Sequence, residues 1–103
     1  MSDTMRIRAQ AAGDKVTVRV LVGHDMETGL RKTADGKTVP ALFIQSISAT
    51  HNGKTVMNAQ WGTAVSKNPF IQFTFSGGKV GDKIAVTWVD NTGDKRTDEA
   101  TIS

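Results

Sequence analysis

The sequence predicts an all-β fold in a single domain covering residues 1–103. Apolar and polar residues alternate with a period of two in several short segments, and no apolar repeat of the helical 3.6-residue period persists. Turn-forming pairs such as Asn52-Gly53 and Asp35-Gly36 separate these segments. A chain of 103 residues can form one modest core, because a domain of this size buries roughly 60–70% of its unfolded surface.

The first two strands are predicted over residues 5–10 and 16–22. The second strand alternates valines with polar residues, which is a half-buried pattern with strong β-propensity. Arg6, Arg8 and Arg19 are expected to share an outward strand face. Because the net charge is only +3, we interpret this face as a solvated polar surface and not as a nucleic-acid site.

The third strand is predicted over residues 41–50, and its first half is apolar on both faces. Phe43 is expected to share one face with Ile47, and Leu42 and Ile44 to lie on the opposite face. A strand that is apolar on both faces is usually covered on both. A two-layer sandwich covers only one face, so we expect the start of this strand to meet a partner.

The remaining strands complete a set of seven. They are predicted over 54–60, 71–75 and 83–88, with a last strand ending at Ile102, and Trp88 is expected to anchor the core. Seven short strands with turn signals between them are typical of a two-sheet antiparallel β-sandwich with immunoglobulin-like architecture.

The segment between the second and third strands is long for a loop in so small a domain. It carries Met26 and Leu30 among charged residues and glycines, and a disordered linker would lack those apolar side chains. We therefore expect a structured surface segment that packs against something, either in this chain or in a partner.

Few catalytic constellations are compatible with the composition. The chain has no cysteine, which excludes disulfides, thiolate metal sites and cysteine nucleophiles. His24 and His51 are its two histidines, and no ligand spacing supports a metal site built on them. The glycine-rich stretch at 76–83 lacks the Walker spacing and is interpreted as a hairpin turn. Trp61 fits a core position and an exposed anchor equally well.

Neither a membrane span nor a secretion signal is expected. No apolar run approaches the ~20 residues that a membrane-spanning helix needs. Residues 1–4 lack a charged segment followed by an apolar one. The residues by themselves thus indicate a small β-sandwich without a cofactor or a catalytic constellation, and with an apolar contact surface.

Three stretches resemble the sulfur-oxidation family SoxZ. They are HDMETGLRK at 24–32, GTAVSKNPF at 62–70 and TWVDNTGD at 87–94, and a Gly-Asp pair at 81–82 precedes a strand. Their order and spacing also match, and the likeness covers nearly the whole chain.

The resemblance implies an immunoglobulin-like sandwich that is the noncatalytic half of a SoxYZ heterodimer. In that family a cysteine on the C-terminal arm of SoxY carries the sulfur substrate during thiosulfate oxidation. The pair works in the periplasm, and SoxZ is exported with its signal-bearing partner. Other Sox enzymes would be met transiently, and neither nucleic acid nor membrane is an expected partner. Two alternatives stay open: a free-standing ligand- or protein-binding sandwich, and a metalloenzyme that uses His24 and His51.

We place the SoxY contact on the long segment and on the face that begins the third strand. Met26 and Leu30 would form its apolar centre with Leu42 and Ile44, and charged neighbours would form its rim. The predicted partner-binding residues are His24, Met26, Glu27, Thr28, Leu30, Arg31, Leu42, Ile44 and Trp61.

Overall fold

The computed structural model describes residues 5–24, 26–62 and 69–103, and seven strands form this part of the chain. Asp25 and the whole Val-Ser-Lys-Asn stretch at 65–68, which carries part of the SoxZ resemblance, lie outside the described residues. None of the described residues forms a helix long and apolar enough to cross a membrane. The strands are β1 (Arg6–Ala12), β2 (Lys15–Leu21), β3 (Ile44–His51), β4 (Lys54–Gln60), β5 (Phe70–Ser76), β6 (Lys83–Asp90) and β7 (Lys95–Thr101).

Two antiparallel sheets face each other across the core. One has the strand order β1-β2-β5, and the other has the order β4-β3-β6-β7. The hairpin between β3 and β4 turns at Asn52 and Gly53, whose φ angles are 49° and 85°. Positive φ at both central residues is the conformation that the Asn-Gly pair favours, because it matches the strand twist. The predicted all-β, immunoglobulin-like sandwich is confirmed.

The core lies between the inward faces of the two sheets. Trp88 is fully buried at its centre, as predicted, and the alternating valines of β2 face it from the other sheet. Fully burying one of these valine side chains stabilises the fold by roughly 1.5–3 kcal/mol. The fully buried larger side chains are Val16, Val18, Val20, Val22, Ile44, Ile47, Ile84, Val86, Trp88 and Ile102.

The predicted faces of the third strand are wrong at its start. The strand begins at Ile44, and its pairing with β6 shifts register between Ile44 and Ser46. Gln45 is the extra residue of this irregularity, so Ile44 and Ile47 both point into the core although they are three positions apart. Ile44 is therefore inside this chain and not on an outward face with Leu42.

The glycine-rich stretch after β5 is not a hairpin turn. β5 pairs with β2 and β6 pairs with β3, so this segment crosses from one sheet to the other. Gly78 is buried at the crossing, where a Cβ would lie only 2.6 Å from Val16 Cγ2 and 3.0 Å from a ring carbon of Phe75. A side chain is excluded here because the segment closes over the end of the core.

Candidate partner-binding site

The long segment folds into a two-legged arm, residues 26–42, which leaves the sandwich after β2 and returns to β3. Near the sandwich, Glu27 N donates to Leu42 O at 2.6 Å and Leu42 N donates to Glu27 O at 2.9 Å. A second bridge joins Lys32 to Thr38 farther out. These backbone bonds hold the two legs together. The arm is therefore ordered although it contains only isolated bridges and no strand.

The tip of the arm is a short turn stabilised by its own side chains. Gly36 has a φ of +83°, in line with the predicted Asp35-Gly36 turn. The Thr33 hydroxyl donates to the Asp35 carboxylate, and this bond is the main reason why the pKa of Asp35 is lowered. Every residue from 30 to 38 is exposed, so the outer arm rests on nothing else in the described chain.

Asn91, in the β6–β7 turn, fastens the returning leg of the arm to the sandwich. Its Oδ1 accepts a hydrogen bond from Phe43 N at 2.9 Å, and its Nδ2 donates to Ala41 O at 2.8 Å. The backbone N of Asn91 donates to Phe43 O at 2.9 Å. One side chain therefore pairs with two backbone groups just before β3 begins.

His24 and Asp90 fasten the leaving leg. His24 Nε2 donates to Asp90 Oδ2 at 3.0 Å, and both side chains are almost fully buried, 5% and 3% exposed. Asp90 Oδ1 accepts from the backbone N and the hydroxyl of Thr92 and from Asp94 N. Burial works to raise the pKa of the Asp90 carboxyl, but the hydrogen bonds from Thr92 and His24 outweigh it and lower that pKa.

Trp88 links this pair to the core. Its ring meets the His24 imidazole edge-on, with the centroids 4.7 Å apart and the planes at 80°. His24 was predicted to contact a partner, but in this chain it is an interior residue that positions the root of the arm. Its place in the long polar segment favoured a surface role, and nothing in that local pattern reveals that the side chain turns inward.

Leu30 is the most exposed of the predicted apolar contact residues, with 83% of its surface free. Beside it, Arg31 Nε and Nη2 donate to the Glu27 carboxylate at 2.7–3.0 Å. This pairing with Arg31 is the main reason why the pKa of Glu27 is lowered. Thr28 Oγ1 accepts from Leu30 N at 3.1 Å. The arm thus presents one apolar side chain flanked by a fixed ion pair.

The other predicted contacts lie lower, at the root of the arm. Met26, Leu42 and Trp61 are half-buried, and Met26 and Trp61 also pack against this chain's core. Trp61 and Phe43 line an open groove beside the arm together with three polar side chains, Gln45, Ser46 and Gln60. Trp61 therefore packs against the core and also lines this groove, and its contact with a partner stays a prediction.

Leu21 and Phe70 were not predicted. They are directly opposite each other on β2 and β5, and they are 41% and 59% exposed. They lie at the arm's end of the sandwich, because His24 follows β2 closely and Val22 N donates to Pro69 O. A signal was present: each occupies the outward position of its strand, where polar residues otherwise stand.

The two histidines do not form a shared metal site. His51 Nε2 donates to Asp82 Oδ2 at 2.7 Å, whereas His24 pairs with Asp90. Asp82 and Asp90 stand at opposite ends of β6, about 26 Å apart at the usual strand rise of ~3.3 Å per residue. No cluster of three or more potential metal ligands occurs among residues 5–24, 26–62 and 69–103.

A family model described as "Sulphur oxidation protein SoxZ" matches residues 5–101. The chain belongs to the SoxZ family. It is thus a sulfur-oxidation protein of the Sox system. The anchors His24, Asp90 and Asn91 and the first leg of the arm lie in stretches in which the SoxZ resemblance was seen. No curated protein matches the chain significantly.

Solved structures resemble the SoxZ chain in fold. A hypothetical protein from Pyrococcus horikoshii OT3 is 18% identical, with a TM-score of 0.66 over 99% of this chain and 89% of the other. A superoxide reductase (neelaredoxin) from Ignicoccus hospitalis is 18% identical, with a TM-score of 0.62 over 99% and 82%. One from Archaeoglobus fulgidus is 22% identical, with a TM-score of 0.63 over 99% and 90%. At these identities the likeness concerns the sandwich alone.

Proposed function

We propose that this chain is the noncatalytic subunit of a SoxYZ carrier, and that it binds and holds a SoxY whose C-terminal cysteine carries the sulfur substrate. Membership of the SoxZ family supports the pairing. The observation that carries it in the structure is the arm, whose outer part exposes Leu30 without packing on the sandwich. An exposed leucine held in place adds no stability to an isolated fold, but it can pack against the surface of a partner protein.

The apolar side chains at the arm's end of the sandwich are suited to a stable interface. Leu30 is exposed there, and the half-buried Met26, Leu42 and Trp61 lie at the root of the arm. Stable interfaces bury on the order of 1,200–2,000 Å² in total, and their centres are depleted in charge and rich in Met and aromatic residues. In this proposal the Glu27–Arg31 pair lies at the rim and orients the partner.

The proposed division of labour follows from sulfur chemistry. Covalent sulfur transfer of this kind needs a thiolate, and the chain contains no cysteine. The chain would therefore shape and present SoxY to the enzymes that load, oxidise and release sulfur, which it would meet transiently. We place this work in the periplasm, where the SoxZ chain would arrive by export with its partner.

Co-expression with a SoxY tests the proposal. We expect the two chains to copurify and to elute as a 1:1 complex whose mass is measured by light scattering. After incubation with the loading enzymes, mass spectrometry should find the sulfur adduct on SoxY and none on this chain. A SoxZ chain that stays monomeric beside folded SoxY would contradict the pairing. A stable adduct on this chain would contradict the noncatalytic role.

The alternative of a free-standing binding module is decided by the same measurement. The groove lined by Trp61 and Phe43 is the feature that would serve such a module. If the chain remained monomeric with SoxY and a ligand shifted the fluorescence of Trp61, the groove would be the functional site instead.

A further inference from the structure

The outer face of the three-stranded sheet carries positive charge only. The strands β1, β2 and β5 read RIRAQAA, KVTVRVL and FIQFTFS, and none of them contains an acidic residue. Arg6, Arg8, Lys15 and Arg19 all stand on the outward positions of their strands and are exposed, as predicted for the three arginines. We call this surface the cationic face. The chain as a whole has ten acidic residues to thirteen basic ones, so this segregation is a local property.

Arg8 and Arg19 are opposed on neighbouring strands. The register of β1 and β2 pairs them directly. Side chains in such a pair have Cβ atoms roughly 4.5–5.5 Å apart, where like charges destabilise the sheet. Arg19 Nε donates to Gln72 Oε1 at 3.1 Å, and this neutral group leaves the charge uncompensated. Among the described residues, no carboxylate forms an ion pair with any cation of this face.

The cationic face ends in an exposed apolar pair. Leu21 stands between Arg6 on β1 and Phe70 on β5 in one row across the sheet. Arginine and aromatic residues are enriched in protein–protein interfaces, where acidic residues and lysine are depleted. A single-stranded nucleic acid would require several aromatic platforms along the groove. Phe70 is the one aromatic side chain on the outward positions of these strands, so the pattern favours a protein.

We propose that the cationic face docks an acidic protein surface. Carboxylates of that partner would pair with Arg8 and Arg19 and remove their repulsion, while an apolar side chain would pack on Leu21 and Phe70. Complementary charge of this kind accelerates association and sets orientation, and it makes binding sensitive to salt. The docking goes beyond the pairing with SoxY and does not depend on it.

Titration of the full chain with a synthetic peptide of Glu, Asp and Leu tests this docking. In nuclear magnetic resonance spectra of the labelled chain, shifts are expected at Arg8, Arg19 and Phe70, and the affinity should fall when salt is raised. Replacing both arginines by glutamate should weaken binding by at least about tenfold, because two attractions become repulsions. The matched control replaces Lys54 and Lys95, which are exposed on the other sheet, by glutamate. Its net charge is therefore the same as that of the arginine variant.

Several results would overturn the docking. One is an equal loss of affinity in the arginine and lysine variants, which would mean that only net charge matters. Another is a set of shifts centred away from the cationic face. A third is tighter binding of a single-stranded oligonucleotide of equal charge, which would make this a nucleic-acid surface. Melting curves of both double variants establish that they are folded, and a Phe70→Ser variant with intact arginines should still lose part of the affinity.

Discussion

Asn91 and Phe43 form two hydrogen bonds with each other, and they lie where the arm joins the sandwich. Phe43 N donates to Asn91 Oδ1 and Asn91 N donates to Phe43 O, each at 2.9 Å. Next to Asn91, Asp90 holds His24 on the other leg. Two consecutive residues, the last of β6 and the first of the turn after it, therefore fasten both legs of the arm to the sandwich.

Replacing Asn91 with alanine should loosen the arm more than the sandwich. The variant loses the bonds to Phe43 N and Ala41 O, and each lost hydrogen bond costs about 1 kcal/mol of stability. We expect faster hydrogen exchange at the Leu42 amide, with core amides of β6 little changed. Asn58→Ala, at an exposed position of β4, is the control. Unchanged exchange at Leu42 would show that the backbone bonds alone hold the arm.

Stability should fall with acid below about pH 4. The pKa values of Asp90, Asp82 and Asp98 are lower in the folded chain than their ordinary value of 3.8, because each carboxylate accepts hydrogen bonds. Their contribution is fully present above that ordinary value and is lost as the pH falls through the lowered one. Urea unfolding at a series of pH values measures this.

Asp90→Asn should flatten the acid dependence and lower stability at neutral pH. The substitution removes a charged acceptor that serves His24, Thr92 and Asp94 inside the fold. Asp14→Asn is the matched control, since the Asp14 side chain makes no hydrogen bond within the described part of the chain. A variant at Asp90 with the parent's acid profile would mean that this carboxylate does not contribute to it.

Leu30→Asp should weaken SoxY binding sharply and leave the melting temperature nearly unchanged. Leu30 is 83% exposed and outside the core, so the free chain loses little. At the proposed interface, an unpaired buried charge costs several kcal/mol. Val80→Asp, at a 70% exposed position near the opposite end of the sandwich, should bind normally. If Leu30→Asp melted early and still bound SoxY, the arm would serve the fold instead.

Gly78→Ala should destabilise the sandwich by about 1–3 kcal/mol, the usual cost of overpacking. The new methyl group would meet Val16 Cγ2 at 2.6 Å, and Val16 is itself fully buried. Gly62→Ala is the control, because nothing lies within 4 Å of its Cβ position. Chemical denaturation of the two variants measures the difference, and equal midpoints would mean that the crossing relaxes freely.

Arg8→Glu should stabilise the chain slightly while it weakens acidic docking. The change places a carboxylate opposite Arg19, and it replaces a like-charged pair by an opposite one. We expect a gain of about 0.3 kcal/mol, because both groups are exposed and screened by solvent. The gain should shrink in high salt. A loss of stability would indicate that the two arginines do not repel each other in the free chain.

The strand pattern and the turns were open to prediction from local chemistry. Period-two alternation located five of the strands, and the turns at 52–53 and 91–93 located β4 and β7. The φ angles at Asn52-Gly53 are those that the pair favours. Ile44 was misplaced because a single extra residue reverses the alternation, and the sequence around Gln45 carries no glycine or proline to mark the irregularity. Residues 76–83 form a crossing and not a hairpin because β5 pairs with β2 and β6 pairs with β3. Such pairing between distant strands has no local signal in the sequence either.

The site was predictable to the extent that it depended on composition. Apolar residues in a long polar segment indicated an ordered arm, and Leu30 is exposed as a partner contact requires. The inward turn of His24 depends on Asp90, which is 66 positions away in sequence. The exposed pair of Leu21 and Phe70 arises from the register of two distant strands. Neither relationship can be read from a local pattern.

The two tryptophans stand in different surroundings, and the chain therefore contains two optical reporters. Trp88 is sealed in the core against His24, so its emission follows the integrity of the fold and of the arm's root. Trp61 is half-buried in the groove beside the arm, so its emission would change if SoxY bound at this side as proposed. A Trp61→Phe variant separates the two signals. Unfolding and SoxY binding can then both be measured by intrinsic fluorescence, without an attached dye.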